Sequence, residues 1–155
     1  MINKIYKVLS SEGFSGLSLR LAIRFAKLFP RRISGYKKYT HLFSGAGIEF
    51  GGPSENFRSH GYFPLYETTS FLDNCNFSSE TPWEKSLTSA QSFYYHPKKE
   101  PGMQFCTEAT DLHMIENETY DFVASCHMLE HSANPIKVLH EWQRILKDSG
   151  TLLLL

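Results

Sequence analysis

The sequence lacks three things that would otherwise steer its reading: a long uninterrupted apolar run, an excess of charge of one sign, and enough cysteine to staple a fold. A membrane-spanning helix needs roughly 20 apolar residues in a row, and no stretch of this chain reaches that. The first thirty residues are broken by Lys4, Lys7, Glu12, Arg20, Arg24 and Lys27, with no apolar core followed by a small-residue cleavage site as in a secretory leader. A cytoplasmic protein is the expectation. Lys+Arg and Asp+Glu both number 16, so the formal net charge is zero, and bulk charge gives no reason to expect a nucleic-acid partner. The three cysteines, Cys75, Cys106 and Cys126, are odd in number and widely spaced. They suit buried thiols in a reducing compartment rather than a disulfide framework or a zinc site. Also missing is the G-x-G-x-x-G fingerprint of nicotinamide-dinucleotide folds.

What is present is the composition of an ordinary globular domain, 41% hydrophobic and 14% aromatic over 155 residues, a length that suits one domain with a real core. Leu17, Leu21, Phe25 and Leu28 recur at helical spacing, with Arg20, Arg24 and Lys27 on another side. This predicts a helix that Pro30 ends, within an N-terminal helical extension over residues 1–45. Such a helix covers one edge of a domain or, by its basic side, touches a membrane surface or a partner. Residues 31–41 read as a basic, aromatic connector.

From residue 46 onward apolar runs alternate with helical patterns. Gly47 to Phe50 reads as a short strand broken by Gly51-Gly52-Pro53-Ser54. Residues 67–73 form a second candidate strand ending at Asp73. The segment from Asn74 to Pro101 is weakly patterned and predicts a loop with a short helix near residues 83–93. Met103 to Cys106 is a further short strand. Tyr120 to Ser125 is an apolar run that fits a strand buried on both faces. Asn134-Pro135 signals a helix start. Ile136, Leu139, Trp142, Ile145 and Leu146 then mark one helical face, with Lys147 at its end and Gly150 as a left-handed cap. Residues 151–155 begin a fifth strand. The alternation implies a doubly wound, mostly parallel α/β sheet.

In such sheets ligands bind beyond the carboxyl ends of the strands, where the strand order switches. Four segments belong to that edge. Gly51 and Gly52 would let backbone pass close to a ligand, although a plain turn explains a glycine pair as well. Asp73 would accept from both hydroxyls of a ribose, or simply form a turn. Asp111 with Leu112 would hold an adenine amino group and pack on its ring. The segment His127-Met128-Leu129-Glu130-His131 pairs two histidines with a glutamate, yet it lacks the rest of a metal-binding helix, and no metal is expected.

Taken in order, Tyr120-Asp121-Phe122-Val123, then His127 to His131, Asn134-Pro135, Val138-Leu139, Glu141, Arg144 to Lys147 and Gly150 resemble class I methyltransferases of the Rossmann-like kind. They are similar to the small-molecule branch known as type 11, and Glu49 to Ser54 resembles a GGPS variant of its first cofactor motif. The resemblance covers roughly residues 47–155, so that residues 46–155 would form the cofactor-binding domain. It implies S-adenosyl-L-methionine as cofactor. Glu49, Gly51, Gly52 and Ser54 would line its methionine and ribose side, Asp73 would hold the ribose hydroxyls, and Asp111 and Leu112 the adenine. His127 would lie beside the sulfonium. The acceptor implied is a small molecule or a glycan- or lipid-linked group, and the catalytic residue is unassigned. His127 and His131 are the nearest bases, or polar residues before the helix. Because a complete fold of this class has seven strands, the expected arrangement is partial after its fifth strand. The uncovered edge, with four consecutive leucines, offers a surface for self-association. The rival readings are a nucleotide-binding fragment or subunit that needs a partner for turnover, and a nicotinamide-dependent oxidoreductase, against which the glycine pattern speaks.

Overall fold

A computed structural model describes Ser18, Phe25, Phe29, residues 32–77 and residues 90–155. The expected N-terminal helix falls outside the described residues apart from Ser18, Phe25 and Phe29. Six strands form one sheet: β1 (Ala46–Phe50), β2 (Phe71–Asn76), β3 (Ala90–Phe93), β4 (Gly102–Cys106), β5 (Tyr120–Ser125) and β6 (Leu146–Leu154). Their order is β3-β4-β2-β1-β5-β6, and every pairing is parallel except β3 with β4. Among the described residues the helices include α1 (Leu65–Thr68) and α2 (Pro135–Ile145), with short 3-10 turns at Tyr36–Lys38, Thr40–Phe43, Glu55–Phe57 and Leu129–His131. The chain is thus an α/β protein with a doubly wound, mostly parallel sheet.

Side chains alternate across the pleat, so each central strand feeds two cores. On one face Ile48, Phe50, Cys75 and Val123 pack against Val138, Trp142 and Ile145 of α2 and against Leu112 and Ile115. On the other, Leu72, Phe122 and Ala124 meet Phe43, Phe57, Phe63, Leu65, Tyr66, Phe93 and Tyr95. Phe43 ties the segment preceding β1 into this second core, with its ring centroid 5.5 Å from that of Phe122. Helix α2 begins as the sequence predicts: Asn134 Oδ1 accepts the Lys137 amide at 3.0 Å, and Pro135 follows at the first helical position.

Four expectations are corrected. Residues 90–93 are an antiparallel strand and not the end of a helix, paired through Ala90 with Gln104. Glu67 and Thr68 belong to α1, and β2 runs three residues past Asp73 to Asn76. Leu146 opens β6, not the last turn of the helix, and α2 stops at Ile145. Gly150 is not a left-handed cap either, since the described glycines with positive φ are Gly35 and Gly51. The β5–β6 pairing shifts register between Tyr120↔Leu146 and Phe122↔Thr151, so residues 147–150 form an irregularity that Lys147 closes on Asp121 at 2.7 Å.

Candidate functional site

The carboxyl ends of β1, β2, β4 and β5 surround an open cleft of about 970 Å³, at the upper end of the range of small-molecule sites. It lies where the order reverses around β1, which has β2 on one side and β5 on the other, the position expected for a ligand in an open α/β sheet.

The wall after β1 is the turn Gly51 to Ser54. Gly51 has φ +81° and donates its amide to the Cys75 carbonyl at 2.9 Å. That conformation suits glycine, which has no Cβ to clash. Gly52 donates to Asn74 Oδ1 at 3.0 Å, and its carbonyl accepts Asn76 Nδ2 at 3.0 Å and Asn74 Nδ2 at 3.4 Å. Asn74 Nδ2 also donates to Gln104 Oε1 at 2.8 Å, across the β2–β4 pairing. Three buried carboxamides, Asn74, Asn76 and Gln104, therefore fasten one side of the turn. Buried amides without partners would cost free energy, whereas these are satisfied by one another and by the turn.

The other side of the turn is held by an acid. Glu49 is fully buried. Its Oε1 accepts the Ser54 amide at 3.0 Å, and its Oε2 accepts the Tyr66 hydroxyl at 2.7 Å. Burial pushes the Glu49 carboxyl up to about 7, with the Tyr66 and Ser54 hydrogen bonds opposing the rise. Burial, followed by the neighbouring Glu49 charge, likewise raises the Tyr66 phenol. A Cβ on Gly52 would lie 2.5 Å from the Glu49 carboxylate carbon and 2.6 Å from Asn74 Oδ1. The acid and the amides thus close around a residue without a side chain.

The opposite wall consists of Cys126, His127, Met128, His131, Ser132 and Ala133. His127 has φ +54°, a costly conformation for a residue with a Cβ. Its Nδ1 lies 3.2 Å from Glu130 Oε1, and both side chains are more than half exposed. Among the described residues, no group of three or more His, Cys, Asp or Glu is arranged to hold a metal ion.

Of the residues singled out from sequence, Gly51, Ser54 and His127 line the cleft, while Glu49 and Gly52 lie directly beneath it. The structure places the remaining three elsewhere. Asp73 is the third residue of β2, where its carboxylate accepts the Met103 amide at 2.6 Å and the Tyr120 hydroxyl at 2.6 Å. Asp111 is exposed and pairs with His113 at 2.9 Å, and Leu112 is fully buried against α2. The strand ends instead present Asn76 and Phe77 after β2 and Thr107, Glu108 and Ala109 after β4. Asn76 lies three residues after Asp73, and Glu108 three residues before Asp111.

Comparison with known proteins agrees with this geometry. No curated protein matches the sequence. Among solved structures, a protein described as a methyltransferase of Bacillus halodurans C-125 superposes with a TM-score of 0.54 at 18% identity, over 79% of this chain. One described as a type II methyltransferase of Anaeromyxobacter dehalogenans gives 0.53 at 14% identity, over 81% of it. The chain spans about half the length of each, 50% and 47%. At such identities the likeness shows a shared fold. Residues 71–154, more than half of the chain, match the methyltransferase domain family of the type 11 branch, and the chain belongs to it.

Proposed function

We propose that this chain binds S-adenosyl-L-methionine in the cleft and takes part in methyl transfer to a small-molecule or a glycan- or lipid-linked acceptor. The observation that carries the reading is the turn after β1, buttressed from below and placed at the switch point of a methyltransferase-type sheet. The residues present fit such a cofactor. Asn76 donates one amide hydrogen to the Gly52 carbonyl, which leaves its oxygen to accept from a ribose hydroxyl. Phe77, 71% exposed on the cleft wall, offers a face for a purine ring. The Glu108 carboxylate can accept from an adenine amino group beside the small side chain of Ala109. The Gly51-to-Ser54 wall would take the methionine portion.

The cofactor supplies an electrophilic methyl group on a sulfonium, so the protein's part is alignment. His127 and His131 stand on the wall facing the turn. If the acceptor must lose a proton, their imidazoles are the candidate bases there. A cytoplasmic setting is part of this proposal, and the free thiols of Cys75 and Cys126 fit it. Calorimetric titration with S-adenosylhomocysteine, with NAD as control, tests the reading. Micromolar binding of the first alone supports it. Failure of a folded chain to bind, or equal binding of NAD, overturns it. Methyl transfer by a longer chain carrying further strands, absent from this one, would mark this chain as the cofactor-binding portion of the enzyme.

A further inference from the structure

The loop after β4 is fastened from outside the cleft. Glu141 Oε2, on α2, accepts the Leu112 amide at 2.9 Å. Arg144 Nη2 donates to the Leu112 carbonyl at 2.8 Å, and its Nη1 donates to the Ile115 carbonyl at 2.8 Å and to Asn117 Oδ1 at 2.9 Å. The two side chains also hold each other, Nε to Oε1 at 3.1 Å and Nη2 to Oε2 at 2.9 Å. The Arg144 carbonyl accepts the Glu118 amide at 2.9 Å. Neither side chain lines the cleft.

What this clamp holds is the landward end of a turn whose other end reaches the cleft. Thr107 donates its amide to the Asn76 carbonyl at 3.0 Å, which fixes the start of the turn to the sheet. The Asp111 amide then donates to the Glu108 carbonyl at 2.9 Å, and Thr107 Oγ1 donates to the Asp111 carbonyl at 3.2 Å. The next residue, Leu112, is gripped through both its amide and its carbonyl. Burial of the Leu112 side chain is non-directional and leaves the backbone free to rotate. Two charge-assisted bonds to the same residue remove that freedom.

We infer that Glu141 and Arg144 are positioning residues that set where Glu108 and Ala109 meet the purine of the ligand, and so set the preference for adenine. The inference rests on the cofactor reading above. An adenine presents an amino group to the Glu108 carboxylate, whereas hypoxanthine presents a carbonyl oxygen, which the carboxylate repels. A clamp that merely stabilised the fold would weaken both ligands alike; one that aims Glu108 changes their ratio.

The test is to titrate the chain and its R144K, E141A and E141Q variants with S-adenosylhomocysteine and S-inosylhomocysteine, following amide exchange at residues 112 and 115 in parallel. The unaltered chain should prefer the adenosyl ligand by about tenfold or more, the scale of one hydrogen bond to a charged group. R144K keeps the charge but loses the fork, and E141A loses the acceptor. Both should let that preference fall severalfold and speed exchange at Leu112. E141Q retains an acceptor oxygen for the Leu112 amide and should keep most of the preference, even if E141A proves too unstable to titrate. An undiminished preference in R144K despite faster exchange at Leu112 overturns the positioning role alone. An unaltered chain that binds neither nucleoside overturns the cofactor reading, and the role with it.

Discussion

The two walls of the cleft differ in what fixes them. The turn after β1 is held by Glu49, Tyr66, Asn74 and Asn76, all buried, with Gln104 behind Asn74. The segment after β5 is tied at its start by the His127 amide to the Leu155 carbonyl at 3.1 Å and by Asn56 Nδ2 to Cys126 Sγ at 3.1 Å, and beyond that by short-range bonds, such as the His131 amide to the Met128 carbonyl at 3.0 Å, and the exposed contact of His127 with Glu130. One wall is fixed by buried polar side chains; the other packs Cys126, Met128 and Leu129 against the cores but carries its polar groups, His127 and Glu130, exposed. Under the proposed function the first suits the cofactor, and the second faces the acceptor.

Substitutions that strike the first wall should therefore cost far more than those on the second. The largest effect is expected for Gly52→Ala, where the new methyl group meets buried Glu49 and Asn74 on both sides. A stability loss of about 3 kcal/mol in urea unfolding is expected from overpacking, together with loss of S-adenosylhomocysteine binding. A normal melt with normal binding would show that the turn yields easily.

The next effect is one of pH. The Glu49 carboxyl is raised from its ordinary 4.5 to about 7 in the folded chain, so between those values the folded state holds a proton that the unfolded state has released. Its contribution to stability is complete below the unfolded value and is lost as pH rises through the folded one. At the limiting slope of about 1.4 kcal/mol per pH unit per proton, the change from pH 5 to 7 is about 2 kcal/mol. Glu49→Gln should flatten that slope in unfolding curves taken across the range, and an identical slope in the variant would count against it.

A pair of variants separates core from site. Asp73→Ala leaves the Met103 amide and the Tyr120 hydroxyl without their acceptor. It should lower stability by about 1–2 kcal/mol while leaving ligand affinity in the folded fraction unchanged. Asn76→Ala should do the reverse in emphasis, weakening S-adenosylhomocysteine by about 1 kcal/mol. Affinity lost in the first variant and kept in the second would return the ribose contact to Asp73. Smallest of all, Glu130→Gln breaks an exposed pair and should alter melting and cofactor affinity by less than about 0.5 kcal/mol.

The sheet was legible in the sequence wherever a strand was built of apolar residues. Tyr120 to Ser125 and the Asn134-Pro135 helix start are found where the pattern puts them. The site edge was less legible because polar residues inside it look like loop. Asn74 and Asn76 extend β2 only because Gln104 and Gly52 answer their amides, partners that lie 30 and 24 residues away along the chain. Reading the strand as ending at the charged residue, three positions early, put Asp73 at the cleft edge, whereas it lies inside β2. The antiparallel β3 was hidden for a similar reason, since Ala90–Phe93 buries one large side chain, Phe93, and leaves Gln91 and Ser92 exposed. The irregularity before Thr151 concealed the end of α2, because Leu146 continues the helical apolar spacing while already pairing with Tyr120. Family resemblance proposes residues by sequence order, whereas strand length decides which side chains reach the cleft.

Trp142 gives the cleft an optical property. Its indole is 1% exposed, without a hydrogen-bond partner for its ring nitrogen among the described residues, and its ring centroid is 4.9 Å from that of Phe50, which forms part of the cleft wall. An indole so placed emits at short wavelength and registers small movements of its aromatic neighbour. The sequence has two tryptophans, so replacing Trp83 by phenylalanine leaves a single indole, one side chain away from the cleft. Occupancy of the cleft then becomes readable from the colour and yield of the protein's own light, with no label attached.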